Sequence, residues 1–407
     1  MRRLTRLLTG RRASGERGAI AVLTATLVMF VAIGMLALTV DIGNITYNRA
    51  ELQNGADATS LALAAACAKP SSPGQPCSVT DSLRQLAAQN ANVTDQSMSI
   101  LGDNRTCIAN YTGTTSLPPC PNNPATADAA ALSNCQPWPL TVAPSKVSYV
   151  EVTTQTAMKN GGTILPYYFG QLLAGSSQGS TQRTCSRAAW GPAGSTGPTL
   201  PITMGACDWN NATSSGAKYA TAPPYTVAAG SGSAPPPEVT TPTNLVTGIF
   251  AHATSSNLCA NQPNGGFSWL QPDSTTNPNC NVTIGTGDMA QSNPGGSVPC
   301  QGVLSKYLGT VANVPVFDYT TGTGNGAQYH IIGVAAFYLA GYDNVPSAQP
   351  KKTSSVYNEP TGVCTGSCTP STTYVWGWFV SSLLPVNSAT INPGGQSLGA
   401  NVVVPAG

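Results

Sequence analysis

Between Ala19 and Val40 the chain carries no charged residue, and this stretch constrains the fold more than any other. As a helix, its 22 residues span about 33 Å, enough to cross a hydrocarbon core of about 30 Å. Inside lipid every backbone N–H and C=O must find an internal partner, so a helix is the expected conformation. Ahead of it stand Arg2, Arg3, Arg6, Arg11, Arg12 and Arg17 against one acid, Glu16. That one-sided charge predicts a cytoplasmic N-terminus and an extracytoplasmic remainder. A cleaved signal peptide fits less well: the apolar run exceeds the usual 7–15 residues and no A-x-A site closes it.

All twelve cysteines lie after the apolar run, at Cys67, Cys77, Cys107, Cys120, Cys135, Cys185, Cys207, Cys259, Cys280, Cys300, Cys364 and Cys368. An even count confined to one side of the span agrees with an oxidising compartment there. The net charge of +2 divides into a tail at +5 and a remainder at −3, from twelve basic and fifteen acidic residues. An ectodomain of that sign offers no basic face to nucleic acid.

The chain has 33 prolines, and none precedes Pro70. The apolar helix can therefore continue without a breaker from Asp41 to about Ala68. In that continuation Ile42, Ile45, Leu52, Ala56 and Leu63 recur at helical steps among Asn44, Asn48, Gln53 and Asp57, an amphipathic pattern. Ile45, Leu52, Ala56 and Leu63 are the candidate partner interface; the competing reading is that they pack internally.

Past Pro70 the composition shifts to Ser, Thr, Gly, Pro and Asn. Asp81 to Asn92 predicts a short helix burying Leu83, Leu86 and Ala87. Pro118 to Pro139 reads as a loop tied by Cys120 and Cys135. Ser145 to Thr156 alternates as a strand, with Val147, Tyr149 and Glu151 opposite Val150 and Val152. Ile164 to Ala174 reads as a short buried helix, and Arg183–Trp190 and Thr199–Met204 as strands around a turn at Gly191-Pro-Ala-Gly194. Ala212 to Pro242 is low in complexity and reads as an exposed loop or linker. Val314–Tyr319 and Tyr329–Tyr342 flank Gly322-Thr-Gly324-Asn-Gly326, which predicts a hairpin, and Thr373–Leu384 predicts a final apolar strand.

Motifs that could carry chemistry are weak. Gly175-Ser-Ser177-Gln-Gly179 spells a nucleophile elbow but lacks the strand-in, helix-out context that strains the serine. Asp95-Gln-Ser97-Met-Ser99 spells a cation-site string but follows a polar segment rather than a hydrophobic strand. Cys364 and Cys368 lack the histidine or C-x-x-C spacing of a zinc site and predict a small disulfide loop. The histidines are His252 and His330. No catalytic site, metal or cofactor is expected.

Glu16-Arg-Gly-Ala-Ile-Ala-Val22, Leu38-Thr-Val-Asp-Ile-Gly43 and Arg49-Ala-Glu-Leu-Gln-Asn-Gly-Ala-Asp57 together resemble the N-terminal segment of Flp (tight-adherence) pilus-assembly proteins of the TadE/TadG type. The later Ala188–Cys207 and Gly322–Tyr342 segments are similar to ectodomains carried by TadG-like proteins. The resemblance implies a bacterial envelope protein serving pilus assembly or anchoring. Pseudopilins of that system are processed after a glycine with glutamate five positions on; counted from Gly18 that position is Leu23, so processing is not expected.

The expected fold is α+β: a long N-terminal transmembrane helix continuing as an amphipathic helix, then a disulfide-rich, mainly β ectodomain. Its expected organisation is a tail at 1–18, span at 19–40, extracytoplasmic helix at 41–68 and ectodomain parts at 69–230 and 231–407. Cys67, Cys77, Cys185, Cys207, Cys364 and Cys368 are the leading disulfide candidates. The expected function is a non-catalytic, membrane-anchored role with the membrane and other pilus-assembly or envelope proteins as partners. The alternative is a membrane-tethered enzyme or ligand-binding domain.

Overall fold

In the computed structural model the described residues are 12–69, 76–90, 98–100, 106–120, 135–156, 164–169, 179–220, 245–250, 269–273, 280–293, 299–300, 302–322, 326–346, 348, 351–360, 363, 372–384 and 389–407. The helix without a breaker forms as one element, α1 (Arg12–Ala68), 57 residues and therefore about 86 Å long. It is followed by α2 (Asp81–Asn90), where the Thr80 hydroxyl accepts from Leu83 N–H and caps the first turn. As the periodicity predicts, Leu83 and Ala87 are buried and Leu86 is partly buried.

The strands in chain order are β1 (Met98–Ile100), β2 (Thr106–Ala109), β3 (Ser148–Thr156), β4 (Leu165–Pro166), β5 (Gly179–Ser180), β6 (Arg183–Thr199) and β7 (Met204–Gly205). Helix α3 (Ala206–Thr213) and strands β8 (Val246–Phe250), β9 (Val282–Gly285) and β10 (Met289–Gln291) come next. Helix α4 (Val303–Tyr307) leads to the long hairpin β11 (Val311–Thr321) and β12 (Gln328–Asp343). The chain closes with β13 (Ser354–Ser355), β14 (Tyr374–Phe379), β15 (Ser382–Leu384), β16 (Ala389–Ile391) and β17 (Ala400–Pro405).

Two sheets result. The first runs β1-β3-β6-β17-β15, with β2 on β3 and β9 and β16 on β6; the second runs β7-β11-β12-β14-β8, with β10 and β13 on β12. Each draws strands from both sides of residue 230, so the sheets are not divided there. The mixed architecture, an apolar helix followed by disulfide-braced β structure, is the α+β fold that the pattern predicts.

The layers follow from side-chain alternation. On the first sheet Val150 and Val152 of β3 and Ala188 and Trp190 of β6 face α1 and α2, while Val147 and Tyr149 face the opposite way. On β12, Val334, Ala336, Tyr338 and Ala340 pack toward the first sheet through Ala193, Ala400 and Val402, whereas Ala335, Phe337 and Leu339 pack on α3 and α4. With both faces covered, β12 reads as a continuous apolar run in place of an apolar–polar alternation.

Four local expectations are corrected. Residues 183–199 form one strand with no turn at Gly191-Pro-Ala-Gly194. Arg187 exchanges backbone bonds on the β17 side, so alternation turns Pro192 away from β17; its missing N–H lies past Ser148, where β3 ends, and its carbonyl accepts from Asn392 N–H after β16. A side chain at Gly191 would strike Ile391, so this glycine serves close strand approach, not a turn. Residues 164–169 are not a buried helix: Leu165–Pro166 pairs with Gly179–Ser180, and Tyr168 and Phe169 are exposed; the rest of that expectation, 170–174, lies outside the described residues. Cys120 bonds Cys107 and Cys135 bonds Cys185, so these two do not tie one loop. Finally, Thr373–Leu384 is split: β14 lies in the second sheet, β15 in the first, and β16 and β17 follow. Most of the suspected linker at 212–242 lies outside the described residues.

Candidate functional site

The most distinctive arrangement is α1 and what it touches. From Gly18 the helix is long and apolar enough to cross a membrane, and none of its most apolar window is buried by the rest of the chain. Ile20, Leu23, Leu27, Phe30, Leu36 and Val40 all point outward. The pattern then reverses. Asp41, Asn48, Leu52, Ala56, Thr59, Ser60, Leu63, Ala64 and Cys67 are buried, recurring at helical steps as one stripe. The same helix is thus uncovered along its apolar first part and enters the protein's own core along its second.

Small residues in that stripe let polar groups of helix and sheet meet directly. The Ser60 and Ser186 hydroxyls lie 3.0 Å apart, and the Thr154 hydroxyl donates to the Leu52 carbonyl at 3.0 Å. Gln53 donates to the Cys185 carbonyl at 3.1 Å and to Asp57 at 2.8 Å. The C-terminal end is closed too: Asn401 of β17 donates to the Ala68 carbonyl at 2.8 Å, and Cys67 is bonded to Cys77. Where the exposed apolar run ends, Asp41 accepts from the backbone N–H of Tyr168 at 2.8 Å and of Phe169 at 3.0 Å. Between these points α1 and the first sheet leave a groove of about 850 Å³, bordered by Thr46, Arg49, Gln53, Asp57, Gln136 and Ser186.

The candidate interface residues divide. Leu52, Ala56 and Leu63 are fully buried against this chain's own domain, so they present no surface to a second protein in this conformation; Ile45 is half-buried. Of the disulfide candidates, Cys67 and Cys77 are bonded to each other, Cys185 to Cys135, and Cys207 is in a disulfide. Cys364 and Cys368 lie outside the described residues, as do Ser177, Asp95, Ser97 and His252. His330 is described: its Nδ1 lies 2.7 Å from Asp318 and its ring stacks on Tyr319 at 4.5 Å.

One internal group escapes the sequence reading. Arg187 on β6 donates through Nε to Glu151 of β3 at 2.8 Å and through Nη1 to the Gln136 carbonyl at 3.0 Å. The two side chains are 3% and 14% exposed, so this is a buried ion pair. Cys135, Glu151 and Cys185 come within 4.8 Å of one another, but the sulfurs are joined and Glu151 already serves Arg187; the group suits bracing, not a cation.

The comparisons with known proteins bear on α1. Residues 18–67 match the family model described as putative Flp pilus-assembly TadE/G-like. The matched segment begins at the start of the exposed apolar face and ends within the last turn of α1, so it coincides with a single physical element. No curated protein and no solved structure matches the chain. The TadE/G-like helix therefore carries the functional information, and the β domain built on it is described by its own geometry.

Proposed function

We propose that this chain is a non-catalytic cell-envelope protein, held in the membrane by α1 and contributing to assembly or anchoring of an Flp (tight-adherence) pilus. The observation that carries this reading is the continuity of the TadE/G-like helix. One uninterrupted element presents an uncovered apolar face along its first part and forms the spine of the ectodomain core along its second. The six arginines before the span favour a cytoplasmic N-terminus. The bonded cysteines beyond it suit an oxidising compartment on the other side.

The role is mechanical. Leu52, Ala56 and Leu63 lock α1 to the sheet, so a partner would meet the ectodomain's outer surface or the exposed side of the helix, not this stripe. The test is deletion of the gene with surface pili counted by electron microscopy. Fewer or absent pili, restored by the wild-type gene, support the reading; unchanged pilus numbers overturn it.

A further inference from the structure

The loop held by Asp41 has properties that a water-facing loop does not need. Leu165 is fully buried and Leu165–Pro166 is paired with Gly179–Ser180, so the loop starts from a fixed base. Yet Ile164, Tyr168 and Phe169 are 55%, 62% and 42% exposed, three large apolar side chains grouped within six residues. Their height is set by Asp41, whose carboxylate receives the N–H groups of Tyr168 and Phe169. Asp41 is the residue that ends the uncharged run. If Ala19–Val40 fills a hydrocarbon core of about 30 Å, Asp41 stands at its outer boundary. A group 3.0 Å from that carboxylate lies in the headgroup layer. Tyrosine and other amphipathic aromatics are enriched there because the ring is apolar and the hydroxyl wet.

We propose that Ile164, Tyr168 and Phe169 form a second membrane contact, seated in the outer lipid interface beside α1 and fixed in depth by Asp41. The proposal rests on the reading of α1 as a membrane anchor. Its occupant is lipid because the exposed apolar face of α1 runs up to Asp41 and the same carboxylate holds the backbone of Tyr168 and Phe169. The consequence is orientational. A lone helix lets an ectodomain rotate about the helix axis and tilt with it, whereas a second contact off that axis selects one face of the domain toward the bilayer.

The test uses the full-length oxidised chain in vesicles of phosphatidylethanolamine and phosphatidylglycerol bearing an alkyne-tagged acyl chain. The photoreactive residue p-benzoylphenylalanine replaces Phe30, Tyr168, Phe169 or Tyr319, one at a time. Phe30 lies in the span, and Tyr319 is an exposed aromatic on β11, outside the sheet that carries α1. The expected result is tagged-lipid adducts at Phe30, Tyr168 and Phe169 and their loss at Tyr319. Adducts at Phe30 without any at Tyr168 and Phe169 overturn the second contact while leaving the anchor intact. No adduct at Phe30 overturns the anchor and the second contact together. Equal adducts at Tyr319, or crosslinks from Tyr168 and Phe169 to protein in place of lipid, also overturn the proposal.

Discussion

Leu63 tests whether α1 is part of the ectodomain or merely attached to it. Its side chain has no exposed surface and shares a core with Leu83 and Ala87 of α2, Ile108 of β2, Val150 and Val152 of β3, and Trp190 of β6. Leu63→Ala removes three carbon atoms from a site enclosed by four elements. The lost transfer energy is about 0.8 kcal/mol per buried carbon, roughly 2.4 kcal/mol in all. Because the disulfide Cys67–Cys77 and the bond from Asn401 to Ala68 pin the helix end, the walls cannot collapse, and a cavity cost adds to this. The expected loss is therefore about 3–5 kcal/mol, in the upper part of the range for such changes. Leu36→Ala, on the uncovered face of the same helix, removes the same atoms and should cost the ectodomain nothing. The assay is guanidinium unfolding of the oxidised full chain in micelles followed by tryptophan fluorescence, since Trp190 lines the perturbed core. A Leu63→Ala transition within about 0.5 kcal/mol of wild type, the scale of an ordinary surface substitution, would refute the integration of α1. So would equal losses from the two variants.

Three further outcomes follow from other sites. Arg187→Met leaves the 14%-exposed Glu151 buried without its cation and should cost about 3–5 kcal/mol, whereas Arg187→Met with Glu151→Leu should recover most of that; additive losses in the double-mutant cycle would contradict the account. Replacing Cys135 and Cys185 by alanine opens a loop with a separation of 50 residues and should cost about 4 kcal/mol, against about 2.7 kcal/mol for Cys67 and Cys77 with a separation of 10, read as the difference in unfolding free energy. Asp41→Ala withdraws a charged acceptor from two backbone N–H groups and should weaken the loop by about 1.5–3 kcal/mol. Hydrogen exchange at Tyr168 and Phe169 should accelerate while the amides of β3 stay protected; unchanged exchange at both would show that Asp41 does not hold them.

What was legible in the sequence was what neighbours along the chain decide. The absence of proline before Pro70 and the helical spacing of Leu52, Ala56 and Leu63 forecast α1 nearly to its last residue. Alternation around Val147–Val152 and the glycine-rich connection after Tyr319 forecast β3 and the hairpin. What was not legible depends on partners far away. The Tyr168 amide finds Asp41 at a separation of 127 residues, which no local pattern announces. Gly191 looked like a turn because a glycine needed for close packing on Ile391 has the same one-letter signal as a glycine needed for bending. For Arg187 a faint sign existed: Glu151 sits mid-strand between Val150 and Val152, and a charge there needs a partner across the sheet. The pairing of Cys135 with Cys185 has no comparable sign, since spacing alone leaves the connectivities open.

The candidate site changes meaning when the stripe on α1 is followed end to end. An amphipathic helix after a long apolar run suggests a surface offered to another protein, but Leu52, Ala56 and Leu63 are buried by the chain itself, while Ile42 and Tyr47 stay exposed. What this packing supplies to the proposed anchoring role is stiffness. Helix–sheet bonds at Ser60, Gln53 and Leu52 and the Asp41 carboxylate at the end of the span hold α1 at successive heights along one line. If the exposed apolar part of α1 lies in a membrane, as proposed, a load applied to the β domain reaches it through a continuous backbone-bonded rod without a proline or loop to bend. A hinge would relieve that load by rotation, and the helix is held against it at Asp41, Leu52, Gln53, Ser60 and Ala68. The proposed anchoring role asks for that property, and it draws on Leu52, Ala56 and Leu63, for which internal packing was the competing reading of the sequence.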